Sequence, residues 1–265
     1  MVNTIRFHVA SDILGLRTFI ANVYFIGKKG AKSGEWVLVD GGISLGASRI
    51  LRTARERFGK KSRPKAIILT HGHFDHVGAL SALVKEWKVP IYAHELEIPY
   101  LTEKKDYFPP DPSVGGGLMS LLSPFFPRRA VNLSDHIKPL PREGSIPFLH
   151  EWRYIHTPGH TEGHLSLFRE YDRILLPGDA FITVKQESFW AVLSQSKQVH
   201  GPPAYFTTDW DKARESVKRL ASLHPAIAAP GHGLPMSGAE LKNQLNDLAE
   251  YFNELAVPEQ GRYVH

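Results

Sequence analysis

The chain has 265 residues, a formal net charge of +5, 42% hydrophobic residues and 22% charged residues. This composition is that of a globular protein rather than a disordered one, and the length allows a sizeable core. The absence of cysteine excludes disulfides, thiolate zinc sites and a cysteine nucleophile, so any metal must be held by His, Asp or Glu.

The amino-terminal segment and the hydropathy pattern bear on localisation. "MVNTIRFHVASD" has no charged stretch followed by an apolar core, so we expect no signal peptide. No apolar run approaches the roughly 20 residues of a spanning helix. We therefore predict a cytoplasmic protein without a membrane partner.

The first third of the chain is predicted to alternate strands and helices. "FIANVYFIG" and "EWVLVDGG" are apolar, β-rich runs that end at glycine. Ala47 to Phe58 has helical spacing of its apolar residues. The arginines of this helix have no interleaved aromatic residues, which favours a solvated face over a nucleic-acid surface. "PKAIILT", a helix over Ala79 to Trp87, and the strand "VPIYAH" follow.

The composition changes between Ile98 and Pro147. Nine prolines fall there, so regular structure is unexpected over much of that stretch. An insert at about residues 106–129 is nevertheless apolar at Leu118, Met119, Leu121, Leu122, Phe125 and Phe126. We interpret it as a lid over an apolar substrate or as a contact with a second copy in a homodimer. Phe125 and Phe126 are therefore candidate substrate-binding residues.

The second half returns to short strands, "WRYIH", "HLSLF", "RILLPGD" and "AIAAPGH". A helix over Trp210 to Leu223 precedes the last of them. A final amphipathic helix is predicted from about Gly238 to Leu255.

Metal-ligand residues are concentrated in "HGHFDH", His71 to His76. In an extended segment His71 and His73 point the same way, because side chains alternate with a period of two. Asp75 and His76 fall where a helix begins, so they are redirected and can reach a second cation. Nitrogen and oxygen ligands without thiolate suit Zn²⁺, and also Fe or Mn.

Three later segments repeat one design, an apolar strand, then Pro-Gly, then a metal-ligand residue. They are "TPGHT" with His160, "LPGDA" with Asp179 and "APGHG" with His232. Proline ends the strand ladder and glycine permits unusual backbone angles. Each side chain is thus presented at the carboxyl end of a strand, where ligand sites in α/β sheets lie.

"THGHFDHVG", together with "TPGHTEGH", "PGDA" and "PGHG", resembles the metallo-β-lactamase-fold hydrolases, with glyoxalase II-like and lactonase-like features, over about residues 19–235. The resemblance implies an α/β fold, a four-layer αββα sandwich, here as a single domain over residues 1–265. It also implies two divalent metal ions, most commonly zinc. The implied ligands are His71, His73 and His160 for one metal, Asp75, His76 and His232 for the other, and Asp179 as the bridge.

By this resemblance, the chain is a binuclear metal-dependent hydrolase of a small molecule. A metal-bridging hydroxide would attack an ester-like electrophile, namely a lactone, ester, thioester or phosphoester. Asp75 would orient the nucleophile or pass a proton, which makes it the catalytic candidate. Asp40 of "VLVDGG" would support a ligand histidine or the end of the sheet.

Differences between this sequence and the family pattern reduce the number of candidate activities. β-Lactamases of this fold lack the bridging aspartate, so Asp179 argues against that activity. Only 33 residues follow His232, which disfavours a glutathione thioester. Lactonases place a tyrosine three residues after the bridge, where this chain has Ile182; Tyr205 would supply the phenol instead, or would pack a Pro-rich turn.

Two other activities stay open. One is a mononuclear iron persulfide dioxygenase, which needs fewer ligands than the seven present. The other is a nucleic-acid-processing hydrolase, which is disfavoured because no nucleic-acid-binding arm is evident. The remaining histidines near the motifs, His94, His156 and His164, are predicted to be structural or to support a ligand.

Overall fold

The computed structural model describes residues 5–115, 117–128, 132–184 and 197–264. The chain divides into two compact units, one formed by residues 1–106 with 129–150 and the other by residues 107–128 with 151–265. The predicted single domain stays a prediction.

The first unit contains a mixed sheet whose strands lie in chain order. The strands are β1 (Arg6–Ala10), β2 (Ile13–Thr18), β3 (Ala21–Ile26), β4 (Val37–Val39), β5 (Ile67–Ile68), β6 (Ile91–Ala93) and β7 (Ile137–Pro139). The pairs from β1 to β4 are antiparallel, and those from β4 to β7 are parallel. The carboxyl ends of β4, β5 and β6 therefore meet at one edge of the sheet.

Aromatic rings fill the core of the first unit. Trp36 stacks on Phe58 with ring centroids 4.3 Å apart and meets Trp87 edge-on at 5.6 Å. Phe58 and Trp87 end two amphipathic helices, so these contacts fix both helices against the sheet. The helices of this unit are α1 (Ala47–Phe58), α2 (Phe74–Val77), α3 (Leu80–Trp87) and α4 (Ile98–Leu101).

The second unit contains another mixed sheet, in the order β12-β11-β10-β9-β8. Its strands are β8 (Trp152–His156), β9 (Leu165–Arg169), β10 (Ile174–Leu176), β11 (Ile227–Ala228) and β12 (Met236–Ser237). Strands β10 and β11 are parallel, and β9 is antiparallel to both β8 and β10. Strands β8, β10 and β11 thus share one direction.

Helices pack on this second sheet through buried aliphatic residues such as Val217, Leu241 and Leu245. Asp209 caps the helix that begins at Trp210, since its carboxylate accepts the backbone N–H of Lys212 at 3.0 Å. The predicted carboxyl-terminal helix is interrupted at Tyr251. The helices of the unit are α5 (Leu118–Leu122), α6 (Trp210–Ala221), α7 (Gly238–Glu250) and α8 (Phe252–Leu255).

Most of the described part of the proline-rich stretch lies outside helices and strands, as we predicted. Short helical turns begin at or next to Pro99, Pro112 and Pro124. These turns tolerate proline because a proline in the first turn of a helix gives up an N–H that would have no helical partner anyway. Gly116 and Arg129 of the predicted insert lie outside the described residues, as does the side chain of Met119.

The insert is closed at its base and held by the carboxyl-terminal tail. The N–H of Tyr107 donates to the carbonyl of Arg128 at 3.4 Å, and both residues belong to the second unit. The N–H of Arg262 donates to the carboxylate of Asp111. The insert is therefore a loop whose two ends are hydrogen-bonded to each other and whose Asp111 is hydrogen-bonded to the carboxyl-terminal tail.

Among the described residues, no helix combines the length and the apolar composition needed to cross a membrane.

Candidate metal centre

The His-rich loop of the first unit leads from β5 to α2. The ring centroid of His71 lies 4.8 Å from that of His73 and 4.2 Å from that of His76. Ligand atoms of His71 are within 4.8 Å of those of both rings, and Asp75 and His76 are equally close to one another. All four side chains are buried. His73 immediately precedes α2, so the change from extended chain to helix redirects Asp75 and His76 as the sequence predicts.

Asp40 follows β4 and organises this loop. Its carboxylate accepts the backbone N–H of Thr70 at 2.8 Å and the Thr70 hydroxyl at 2.8 Å. It also lies 2.9 Å from Nδ1 of His76. Asp40 thus contacts a histidine that the sequence predicts to be a ligand, and the role of that histidine as a ligand stays a prediction. Asp40 itself has a φ of +61°, a left-handed conformation that aspartate tolerates better than most residues.

These bonds select one tautomer of two histidines. An ionised Asp40 can only accept, so Nδ1 of His76 carries the proton. The Thr70 hydroxyl donates its proton to Asp40, so its oxygen accepts from Nδ1 of His71, 3.1 Å away. In both rings Nε2 is left with its lone pair, which is the form that binds a metal.

Three predicted ligands of the second unit follow strands that run in the same direction. His160 follows β8, Asp179 follows β10 and His232 follows β11. Oδ2 of Asp179 lies 3.1 Å from Nε2 of His232 and 3.6 Å from Nε2 of His160. The three side chains are each about 2% exposed. The Pro-Gly pattern therefore does bring this trio together.

The tautomer of His160 is fixed in the same way. The hydroxyl of Thr207 donates to the carbonyl of Pro203 at 2.9 Å. Its oxygen therefore accepts from Nδ1 of His160, 3.2 Å away. Nε2 of His160 is left with its lone pair, on the side of Asp179.

The backbone around these ligands is tightly constrained. The N–H of Asp179 donates to Nε2 of His164 at 2.9 Å. Gly159 has a φ of +132°, and a Cβ there would lie 2.4 Å from the backbone nitrogen of Ala213. Only glycine fits at that position, so the glycine of "TPGHT" is required by close approach to α6.

His94 and His156, which were also predicted to be structural or to support a ligand, each make a hydrogen bond to a backbone atom. Nδ1 of His94 accepts the N–H of Leu96 at 3.3 Å. Nε2 of His156 lies 2.8 Å from the carbonyl of Glu162.

The predicted donors fit divalent metal ions. All seven are buried, with exposures from 0% to 6%, and they offer only imidazole nitrogen and carboxylate oxygen. His71, His76 and His160 each have Nδ1 fixed by an acceptor. That arrangement typifies histidines that bind a metal through Nε2. Zn²⁺, Fe and Mn all accept such donors.

The candidate substrate-binding residues differ in their surroundings. Tyr205 is buried, with its ring 4.9 Å from that of Phe206 and 6.0 Å from that of Phe126. Tyr205 thus packs within an aromatic group in a Pro-rich turn. Phe125 is 84% exposed.

Three supporting residues were missed by the sequence analysis, namely Thr70, Thr207 and Glu97. Glu97 is fully buried, and its carboxylate accepts the N–H of Gly72. The available signal was its position after the apolar run "VPIYAH", which parallels that of Asp40 after β4. Thr207 gave no such signal, because 47 residues separate it from His160.

Comparison with known proteins places the chain in a family. A model described as "Metallo-beta-lactamase superfamily" matches residues 16–232. The "Probable metallo-hydrolase YflN" of Bacillus subtilis (strain 168) is 47% identical over 249 residues, which are 94% of each protein. The "Probable metallo-hydrolase YybB" of the same organism is 30% identical over 76% of this chain and 78% of its own length.

A solved structure with a similar fold supports the same family assignment. The crystal structure of BLEG-1 B3 metallo-beta-lactamase is 26% identical, with a TM-score of 0.57 over 86% of this chain and 93% of that chain. The predicted α/β fold of the metallo-β-lactamase type is thereby confirmed. The chain is a metal-dependent hydrolase, and it belongs to the metallo-beta-lactamase superfamily.

Proposed function

We propose that this chain is a binuclear hydrolase of a small ester-like substrate, namely a lactone, ester, thioester or phosphoester. The observation that carries the proposal is the set of histidines whose Nδ1–H is fixed so that Nε2 carries the lone pair, in both units of the chain. Two divalent ions, when bound, would supply a hydroxide near neutral pH and polarise the scissile oxygen.

The residues divide into three roles under this proposal. One ion would be held by His71, His73 and His160, the other by Asp75, His76 and His232, and Asp179 would bridge them. The carboxylate of Asp179 would offset the repulsion between two adjacent dications. Its N–H bond to His164 supports this role, because it limits the conformations of the aspartate backbone.

We propose that Asp75 transfers the proton of the nucleophile to the leaving group. It is buried at the first turn of α2, so its carboxylate is shielded from bulk water. A carboxylate in such a position can accept a proton from the nucleophile and return it to the leaving group.

An apolar substituent on the substrate is also part of the proposal. Phe126 contacts the Tyr205 and Phe206 rings, whereas Phe125 has most of its surface available. An acyl or aryl group lying along the insert would bury the Phe125 ring, with a gain of up to about 1.5–3 kcal/mol for complete burial.

Metal analysis combined with a hydrolysis panel tests the function. Protein purified without chelator should carry about two transition-metal ions per chain. The panel comprises lactones, thioesters, carboxylic esters and phosphotriesters, assayed with Zn²⁺-, Fe²⁺- and Mn²⁺-loaded protein. One tightly held iron, no second metal and no hydrolysis would favour sulfur oxidation and refute the binuclear hydrolase.

A further inference from the structure

Glu97 is a buried carboxylate in contact with the backbone of the His-rich loop. Its side chain is fully buried, and Oε2 accepts the N–H of Gly72 at 3.0 Å. Gly72 lies between His71 and His73. The orientation of the peptide group between His71 and Gly72 therefore depends on Glu97.

The sheet explains why a carboxylate reaches this peptide. Strands β4, β5 and β6 are parallel neighbours, and the His-rich loop follows the central one. Asp40 follows β4 on one side and bonds Thr70 and His76. Glu97 follows β6 on the other side and bonds Gly72. Two carboxylates from the flanking strands thus hold the loop at three points along its length.

The segment that carries Glu97 is itself well fixed. The N–H of Glu97 donates to the carbonyl of His94 at 2.9 Å. Nδ1 of His94 accepts the N–H of Leu96, and the hydroxyl of Thr102 donates to the carbonyl of Ile98 at 2.8 Å. A side chain on such a turn has little freedom, so it can define the position of its partner.

We propose that Glu97 is a positioning residue for the metal centre, which acts by holding the Gly72 N–H so that His71 and His73 face the same ion. This inference rests on the proposed metal site. Without an acceptor at Glu97, the peptide group between His71 and Gly72 can rotate, and the two imidazoles no longer share one direction. The energy that orders them must then come from metal binding.

The charge of Glu97 adds a second, separable contribution. A buried carboxylate costs more than a neutral acceptor unless positive charge lies nearby. The metal ion held by His71 and His73 would supply positive charge. Glutamine at this position retains an acceptor for Gly72 but loses the charge, so it should give an intermediate effect.

The experiment compares Glu97→Met, which removes the acceptor at similar volume, with Glu97→Gln. Glu95→Met is the matched control, because Glu95 belongs to the same turn but is 44% exposed and pairs at 2.9 Å with an exposed Arg142. Zinc affinity is measured by competition with a chromophoric chelator. The visible spectrum of the Co²⁺-loaded protein reports ligand geometry independently of turnover.

Glu97→Met should weaken zinc binding by about 10- to 100-fold and alter the Co²⁺ spectrum. Glu97→Gln should restore much of the affinity, and Glu95→Met should match the wild type. A folded Glu97→Met protein with wild-type affinity and spectrum would overturn the inference. If that variant does not fold, Glu97→Asp decides, because it keeps the charge but falls short of Gly72; unchanged affinity there would equally refute the positioning role.

The outcome also separates this inference from the proposed function. A wild-type protein that binds no metal would refute the metal centre whatever Glu97 does. A wild-type protein that binds two metals, together with an unaffected Glu97→Met variant, would retain the metal centre and remove Glu97 from it.

Discussion

Three hydroxyl and carboxylate groups determine the chemistry of the histidines in this chain. Thr70, Asp40 and Thr207 each accept from an Nδ1 nitrogen. For both threonines, the hydroxyl proton is already donated to another acceptor. The oxygen can therefore only accept from the ring, and the tautomer follows. Metal affinity should thus depend on residues that touch no metal.

Thr207→Val tests this dependence with a side chain of the same shape. Valine cannot accept from His160, so the ring loses its tautomer and orientation, and zinc affinity should fall by about tenfold or more. Thr208→Val is the control, because Thr208 bonds Gly159 only through its backbone N–H among the contacts described. Both are measured by chelator competition. Equal affinities in the two variants would show that Thr207 does not set the tautomer.

Asp179 and Asp40 should differ in their effect on metal content. Asp179→Ala removes the proposed bridge, so we expect it to abolish most turnover and to lower the number of bound ions. Asp40→Asn keeps one acceptor and tolerates the left-handed φ of +61°. The NH₂ group of the introduced asparagine would nevertheless face a hydrogen-bond donor of Thr70 or His76. We expect this to lower the free energy of unfolding by about 1–3 kcal/mol. Elemental analysis and kcat distinguish them; unchanged metal and kcat in Asp179→Ala would rule out a bridge.

The ligand candidates were visible in the sequence because each follows a β-rich run and a turn. That pattern is local, so His160, Asp179 and His232 can be found without knowing the fold. The partners of these residues are different. Thr207 and Glu97 act through hydrogen bonds that depend on tertiary placement. Threonine is too common for the position of Thr207 to indicate such a role, and the one signal for Glu97 is its place after an apolar run.

At the scale of elements, prediction succeeded where a segment buries one face. Helix α1 was predicted at both ends, because Ile50, Ala54 and Phe58 form a stripe that is buried in the structure. Strands β1 and β7 were not predicted individually. They lie at the two edges of the sheet and bury few side chains. Such strands form because a neighbour offers backbone hydrogen bonds, which sequence alone does not reveal.

The tail and the insert of the second unit are joined at Asp111. Burial acts to raise the pKa of this carboxyl. Hydrogen bonds from Ser113 and from the N–H of Arg262, with the charge of Arg262, outweigh it and hold the pKa below its ordinary value of 3.8. A group with a lowered pKa contributes stability that is present above that ordinary value and is lost as the pH falls through the folded one.

Asp111→Asn should therefore destabilise the protein in a pH-dependent way. At pH 7 the variant loses a charged acceptor for the N–H groups of Ser113 and Arg262, at a cost of about 1 kcal/mol in the free energy of unfolding. The difference from wild type should shrink below about pH 3.8. Urea denaturation at a series of pH values measures it, with Glu259→Gln on the exposed part of the tail as control. A pH-independent difference would contradict the assignment to Asp111.

At the scale of the whole molecule, the apolar surface of the insert needs an explanation. Leu118, Leu121, Leu122 and Phe125 are 50%, 66%, 40% and 84% exposed. Single exposed apolar residues are ordinary, but neighbouring ones usually mark a binding surface. The short helix α5 carries the leucines, so they are presented together. A bound substrate or a second copy of the chain would cover them, and we favour the substrate.

Phe125→Ser separates these two occupants. Phe125 makes few contacts that folding needs, so the free energy of unfolding should change by no more than about 0.5 kcal/mol. If the insert covers the substrate, KM for long-chain esters or lactones should rise by about tenfold, while short substrates and the sedimentation coefficient stay the same. Leu45→Ser, at a leucine that is 73% exposed in the first unit, is the control for loss of surface hydrophobicity. A shift to a slower-sedimenting species with unchanged KM would instead assign the surface to a homodimer. If neither property changes, the apolar face serves neither role.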